Sequence, residues 1–123
     1  MDGVRTRLER DLTRVVEQLR QFDETSVRAE SPEAAAGTTV FDEVDLVQVA
    51  QRREIGFLTR ERLVQRLQRL SAALARVDDG TYGVCAECGD TIHPGRLKAV
   101  PDADACVPCQ EQRERAVVRS RVA

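Results

Sequence analysis

Between Val4 and Phe22 the apolar residues fall at Val4, Leu8, Leu12, Val15, Leu19 and Phe22. Those steps of four, four, three, four and three trace one stripe on an α-helix, and the spacing predicts a helix over about residues 2–29. The stretch ESPEAAAGTT follows, with Pro32 and Gly37 as breakers and small residues between them, and reads as a loop. A second helical pattern starts near Asp42 and continues to about Val77. Its clearest stripe is Leu63, Leu67, Leu70, Leu74 and Val77, with Leu46, Val49, Ala50 and Phe57 upstream. About 35 residues at 1.5 Å each make a rod near 50 Å long. An amphipathic helix of that length needs a partner for its stripe. The first helix, folding back antiparallel, supplies one. Packing of the two helices inside a compact bundle is the competing arrangement.

Asp78-Asp79-Gly80 ends the second helix, with Gly80 as the C-terminal break. Residues 81–105 are rich in Gly, Pro and Asp without sustained periodicity, as expected of an irregular knuckle held by something other than core burial. The terminal CVPCQEQRERAVVRSRVA reads as a short charged helix. The expected fold is therefore mainly α. It combines a long antiparallel two-helix coiled-coil hairpin over residues 1–79, its tip at about 30–45, with a small four-cysteine finger and a C-terminal helix over 80–123.

Composition supports this picture. Aromatic residues make up 3% of the chain and charged residues 33%, and Arg outnumbers Lys eighteen to one. That mixture suits long solvated helices better than a large-ringed globular core. Net charge is −2, but its distribution is uneven. Residues 23–45 hold seven acids against Arg28, and residues 52–76 hold seven arginines against Glu54 and Glu61. Charge runs of this kind are commonly solvated helix faces; they also permit a partner that meets an acidic end and a basic shaft. No window approaches the roughly 18 apolar residues that span a bilayer. MDGVRTRLERDL has no apolar run of the secretory kind. A cytoplasmic location without membrane attachment is the expectation, and there four cysteines point to metal or redox chemistry rather than disulfides.

The cysteines stand as two Cys-x2-Cys pairs, Cys85 with Cys88 and Cys106 with Cys109. Two intervening residues let one tight turn aim both sulfurs at a point. Two such turns complete the thiolate tetrahedron of structural Zn²⁺. Gly83 and Gly89 lie where the turns need them. Too few apolar side chains separate the pairs for unaided folding, so metal binding is expected to supply much of the folding free energy. A thioredoxin-like dithiol would require a strand–helix context, and none is visible. His93, the lone histidine, reads as a surface or supporting residue beside four thiolates. With the metal coordination closed and no convincing nucleophile–base pair, an enzyme is not expected.

The run ALARVDDGTYGVCAECGDTIHPGRLKAVPDADACVPCQEQRE goes beyond generic spacing. Gly80-x-Tyr82-Gly83 precedes the first cysteine, Cys88-Gly89 follows, and Arg96-Leu97-x-Ala99-x-Pro101 precedes the second pair. It closely resembles the zinc-finger signature of the DksA/TraR family of bacterial RNA polymerase regulators. The helical hairpin matches that family's architecture, and Asp42-Glu43-Val44-Asp45 matches its Asp-x-x-Asp tip motif. The resemblance implies a regulator that binds RNA polymerase directly, inserting the coiled coil into the secondary channel to alter promoter complexes. It implies Asp42 and Asp45 as the polymerase-directed tip residues and the four cysteines as ligands of one Zn²⁺; the expected oligomeric state is a monomer.

Locally, Asp42 also reads as the N-cap of the second helix and Asp45 as a first-turn acid favoured by the helix dipole. Two departures from the family pattern stand out. Leu46-Val47 follows the tip motif, where members often continue with Arg or Gln and a small residue. The family's positions for contacting the alarmone ppGpp correspond to Arg66, Arg69, Val100 and Gln110. Arg66 and Arg69 retain basic character, as candidate polymerase or nucleotide contacts. The charge is lost at Val100 and Gln110, where responsive members carry Arg and Lys. Phosphates need such donors, so ppGpp synergy is not expected. The alternative is a nucleic-acid-binding zinc module using the basic shaft or Arg113, Arg115, Arg119 and Arg121. Against it stand a pI near 5.5 and the absence of an aromatic stacking platform. Sequence-specific DNA binding is not expected.

Overall fold

The computed structural model describes the backbone of residues 2–29 and 43–122, and the side chains of 2–25 and 46–121. The proposed loop after Ala29 and Asp42 lie outside the described residues, as does the side chain of Asp45. Four helices follow in order: α1 (Asp2–Ala29), α2 (Glu43–Asp79), α3 (Pro94–Ala99) and α4 (Val107–Val122). Among the described residues the sole β pairing is one isolated antiparallel bridge, Val84 to Thr91. The fold is mainly α, a long two-helix hairpin with a four-cysteine finger.

α1 forms as its stripe requires. Leu8 and Val15 are buried, and Val4, Leu12, Leu19 and Phe22 are half-buried along the same line. Asp2 sits in the first turn, where the helix dipole favours an acid. On the wet face Arg20 bridges Glu17 and Glu24, both at 2.6 Å. Such exposed i,i+3 and i,i+4 pairs each contribute about 0.3–0.5 kcal/mol.

α2 is stopped by Gly80. At φ 76° this residue takes the left-handed conformation that side-chain-bearing residues avoid. The Thr81 N–H then reaches back to the Arg76 carbonyl at 2.9 Å and the Gly80 N–H to that of Val77 at 3.4 Å. Two otherwise orphaned carbonyls are satisfied.

Two compact units are distinguished along the chain. One comprises Met1–Asp11 with Arg69–Ala123. Here Leu8, Leu70 and Ala73 are fully buried, and Arg5 pairs with Asp78 across the two helices. The knuckle and α4 belong to the same unit.

The other unit is Leu12–Gln68. Its covered positions on α2 are Val49, Gly56, Leu63, Val64 and Leu67. A Cβ on Gly56 would lie 3.4 Å from the end of the Phe22 ring, so the glycine faces the aromatic of α1 at contact distance. Arg60 donates to Asp23 at 3.0 Å across the pair.

The upstream half of the α2 stripe needs correction. Phe57 is 66% exposed, Leu46 57% exposed, and Ala50 is exposed too. The seam instead steps by seven from Val49 through Gly56 to Leu63. Phe57 is one residue, or about 100° of helix rotation, away from that line. A glycine gave no apolar signal, and the adjacent phenylalanine gave a misleading one.

Candidate metal centre

The four sulfurs of Cys85, Cys88, Cys106 and Cys109 lie within 4.8 Å of one another, with Cys88 and Cys106 at 3.8 Å. Sulfurs at the corners of a tetrahedron 2.3 Å from a central ion stand about 3.8 Å apart. A disulfide would need about 2.05 Å. All four are free thiols, and the donor set fits one structural Zn²⁺.

Local backbone chemistry builds each half of the cage. Around the first pair, the Cys85 N–H donates to the Asp90 carbonyl at 2.8 Å and the Gly89 N–H returns to Cys85 at 3.0 Å. Gly89, at φ 79°, allows the reversal immediately after Cys88. The Ile92 N–H reaches the Gly83 carbonyl at 2.7 Å, drawing the hairpin closed. For the second pair, Cys106 precedes α4 and Cys109 occupies its first turn. The Gln110 N–H donates to the Cys106 carbonyl at 2.9 Å.

The irregular reading of residues 81–105 missed α3. His93 caps it, its Nδ1 accepting from the Gly95 N–H at 2.9 Å, and Pro94 occupies the first turn. A proline there forfeits no helical hydrogen bond. The histidine is thus a cap on an exposed surface rather than a ligand. At six residues the helix is too short for periodicity to reveal. The His-Pro-Gly sequence was the available signal.

A small apolar cluster lies behind the sulfurs. Cys85, Ile92 and Ala105 are buried, with Leu97, Cys106 and Cys109 packed against them. Leu97 descends from α3, and its methyl would stand 3.6 Å from a Cβ on Gly83. The motif residues before the second pair acquire physical roles. The Tyr82 hydroxyl donates to the carbonyl of buried Pro101 at 2.7 Å. Arg96 donates to the Ala105 carbonyl at 3.0 Å, Arg76 to that of Asp102 at 3.4 Å, and Arg69 to the Asp102 carboxylate at 3.1 Å. Residues 101–105 therefore arrive at Cys106 held by donors from α2, α3 and the Tyr82 turn.

The electrostatics also call for a cation. Backbone N–H groups of Cys88 and then Cys106 hold the Cys85 thiol down to about 6. Hydrogen bonding with the Cys106 side chain, followed by burial, pushes Cys109 up to about 12. At Cys88 the Asp90 N–H favours the thiolate, but bonding to Cys85 and burial outweigh it and the thiol is raised. One thiolate forms readily while its neighbours oppose further negative charge. A dication resolves that opposition, and four sulfurs close its coordination with no position for a reacting water.

Of the residues proposed from sequence, the structure brings the four cysteines together and places Arg69 against Asp102. Arg66 is an exposed residue of α2. Sequence reasoning offered Arg113 only as a nucleic-acid contact and missed its place in the finger, where its guanidinium contacts Glu87 and Asp104. Burial alone would raise the Asp104 carboxyl, but Arg113 draws it below the usual carboxylate range.

Residues 80–115 match the prokaryotic dksA/traR C4-type zinc finger. The chain is 41% identical over 63 residues to the RNA polymerase-binding transcription factor DksA of Caulobacter vibrioides, covering 51% of this chain and 44% of that protein. To the protein of the same name from Escherichia coli it is 30% identical over 69 residues, 56% of this chain and 46% of that one. The matched segment thus spans less than half the length of these relatives. Transcription factor DksA2 from Pseudomonas aeruginosa shares the fold at a TM-score of 0.74 and 27% identity, over 94% of this chain and 83% of that one. Finger, relatives and architecture agree: residues 80–115 match the dksA/traR C4-type zinc finger, and the chain as a whole is similar in fold to a DksA protein.

Proposed function

We propose that this protein is a cytoplasmic, monomeric transcription regulator that binds bacterial RNA polymerase directly. In this reading it inserts the end of its hairpin, residues 30–45, into the secondary channel and there modulates promoter complexes. The hairpin (1–79) provides reach, and the finger (80–123) provides a metal-closed base. The observation that carries the proposal is the joint presence of a four-cysteine cage and a 37-residue second helix paired with α1, the architecture shared with DksA2. Named relatives over half of the chain are RNA polymerase-binding factors. No described helix is long and apolar enough to cross a membrane.

Asp42 and Asp45 are the residues assigned to act at the polymerase centre, and Arg66 is a candidate contact along the shaft. The regulator works without ppGpp in this proposal. Arg69 is engaged by Asp102, whose side chain is only 10% exposed, and Val100 and Gln110 carry no charge for a phosphate. The nucleic-acid alternative loses one of its four C-terminal arginines, since Arg113 is held by Glu87 and Asp104.

The test has two arms. Immobilised protein should capture purified core RNA polymerase in the absence of DNA. Asp45→Asn should retain capture and the native circular dichroism spectrum while abolishing the effect on transcription from a sensitive promoter. Failure of capture removes the polymerase reading. Capture with an unaltered transcriptional effect in the variant removes the tip assignment alone.

A further inference from the structure

Arg113 stands four residues after Cys109 on α4, one helical turn along the same face. Its Nε and Nη2 donate to Glu87 Oε1 at 3.1 and 2.7 Å, and its Nη1 donates to Asp104 Oδ1 at 2.9 Å. Glu87 lies between Cys85 and Cys88, and Asp104 two residues before Cys106. One side chain from the helix that carries Cys109 therefore grips an acid in each of the other two ligand-bearing segments. Those segments are already joined by the Ala86 N–H, which donates to the Asp104 carbonyl at 2.8 Å. The guanidinium adds the third body to that join.

Charge points the same way. Four thiolates around a dication leave a net −2. Glu87 and Asp104 place two further negative charges on the same knuckle, and Arg113 is the cation paired with both. A guanidinium is suited to this task because its planar fork of donors engages two carboxylates at once, which an ammonium cannot do with fixed geometry.

We infer that Arg113 is a positioning residue for zinc: it keeps the three ligand segments in register and offsets acidic charge beside the thiolate cage, so that zinc is released slowly. The residue lies outside the cysteine motif and within the finger alone, so the inference does not depend on polymerase binding.

The experiment uses the full, zinc-loaded chain and follows transfer of zinc to the chromophoric chelator 4-(2-pyridylazo)resorcinol, with circular dichroism confirming the fold. Arg113→Met keeps the apolar stem but leaves two carboxylates unpaired, and should release zinc roughly tenfold faster, the lower end of what loss of a ligand-orienting partner costs. Arg113→Lys retains charge without the fork and should fall between that variant and the parent protein. The gap between parent and Arg113→Met should narrow at 0.5 M salt, because exposed ionic contacts are screened. Parental release from Arg113→Met, or equal rates for the Met and Lys variants, would overturn the inference. If Arg113→Met does not fold, Arg113→Lys decides: it keeps every charge, removes only the fork that joins the segments, and should release zinc faster than the parent. Unchanged release there also overturns it.

Discussion

In the unit formed by Met1–Asp11 and Arg69–Ala123, the side chains of Leu8, Leu70, Ala73, Cys85, Ile92, Ala103 and Ala105 are buried. Among the described side chains of Leu12–Gln68, Val15 alone reaches that state, while Val16, Leu46, Val47, Ile55, Phe57 and Leu58 are at least half exposed. The same two helices run through both units, so helix chemistry does not explain the contrast. In a two-helix ribbon each seam residue has one neighbouring element, and water reaches its flanks. Where the finger folds in, residues 101–105 are fastened by Tyr82, Arg76, Arg69, Arg96 and Arg113, and a third body covers the interior. Among the described residues, burial follows the number of elements that meet.

Removing the metal should break the comparison most severely. Structural zinc in small finger modules contributes about 10–16 kcal/mol at neutral pH. Chelation, or Cys106→Ser, should therefore expose residues 80–109 to protease and to hydrogen exchange, while amides of the Leu12–Gln68 helices keep their protection. Equal loss in both units would show that the hairpin seam depends on the finger. Acid should act in the same direction. Protons compete with zinc for the four thiolates, so zinc content after dialysis should fall as the pH is lowered below neutral.

Truncation of the core comes next in size. Leu70 is fully buried and Leu63 half-buried. Leu70→Ala should cost about 2–5 kcal/mol, as filled core positions do, and Leu63→Ala markedly less, because part of its surface is already wet. Urea unfolding of the zinc-loaded protein measures both, and equal costs would contradict the burial contrast. The smallest effect has the opposite sign. Gly56→Ala should stabilise the Leu12–Gln68 unit by up to about 1 kcal/mol, the helix-propensity difference, with the new methyl meeting the Phe22 ring at the 3.4 Å already available. Slowed amide exchange across α2 near Gly56 would register the gain. Faster exchange would mean that Phe22 needs the glycine's space.

What the sequence determined by itself is local. The α1 stripe, the arrest of α2 at Gly80, the terminal helix and the paired cysteines are legible because each depends on residues within one or two turns of each other. The cage adds only that two tight turns converge, which their spacing already implied. Tertiary structure decided the rest. It chose Val49–Gly56–Leu63 over Phe57 as the seam, since an upstream helix with apolar residues on several faces does not specify which one its partner covers. It also gave Arg69 to Asp102 and Arg113 to Glu87 and Asp104. An arginine-rich chain offers many cations to every acid, and spacing along the chain carries no information about which of them the fold brings into contact.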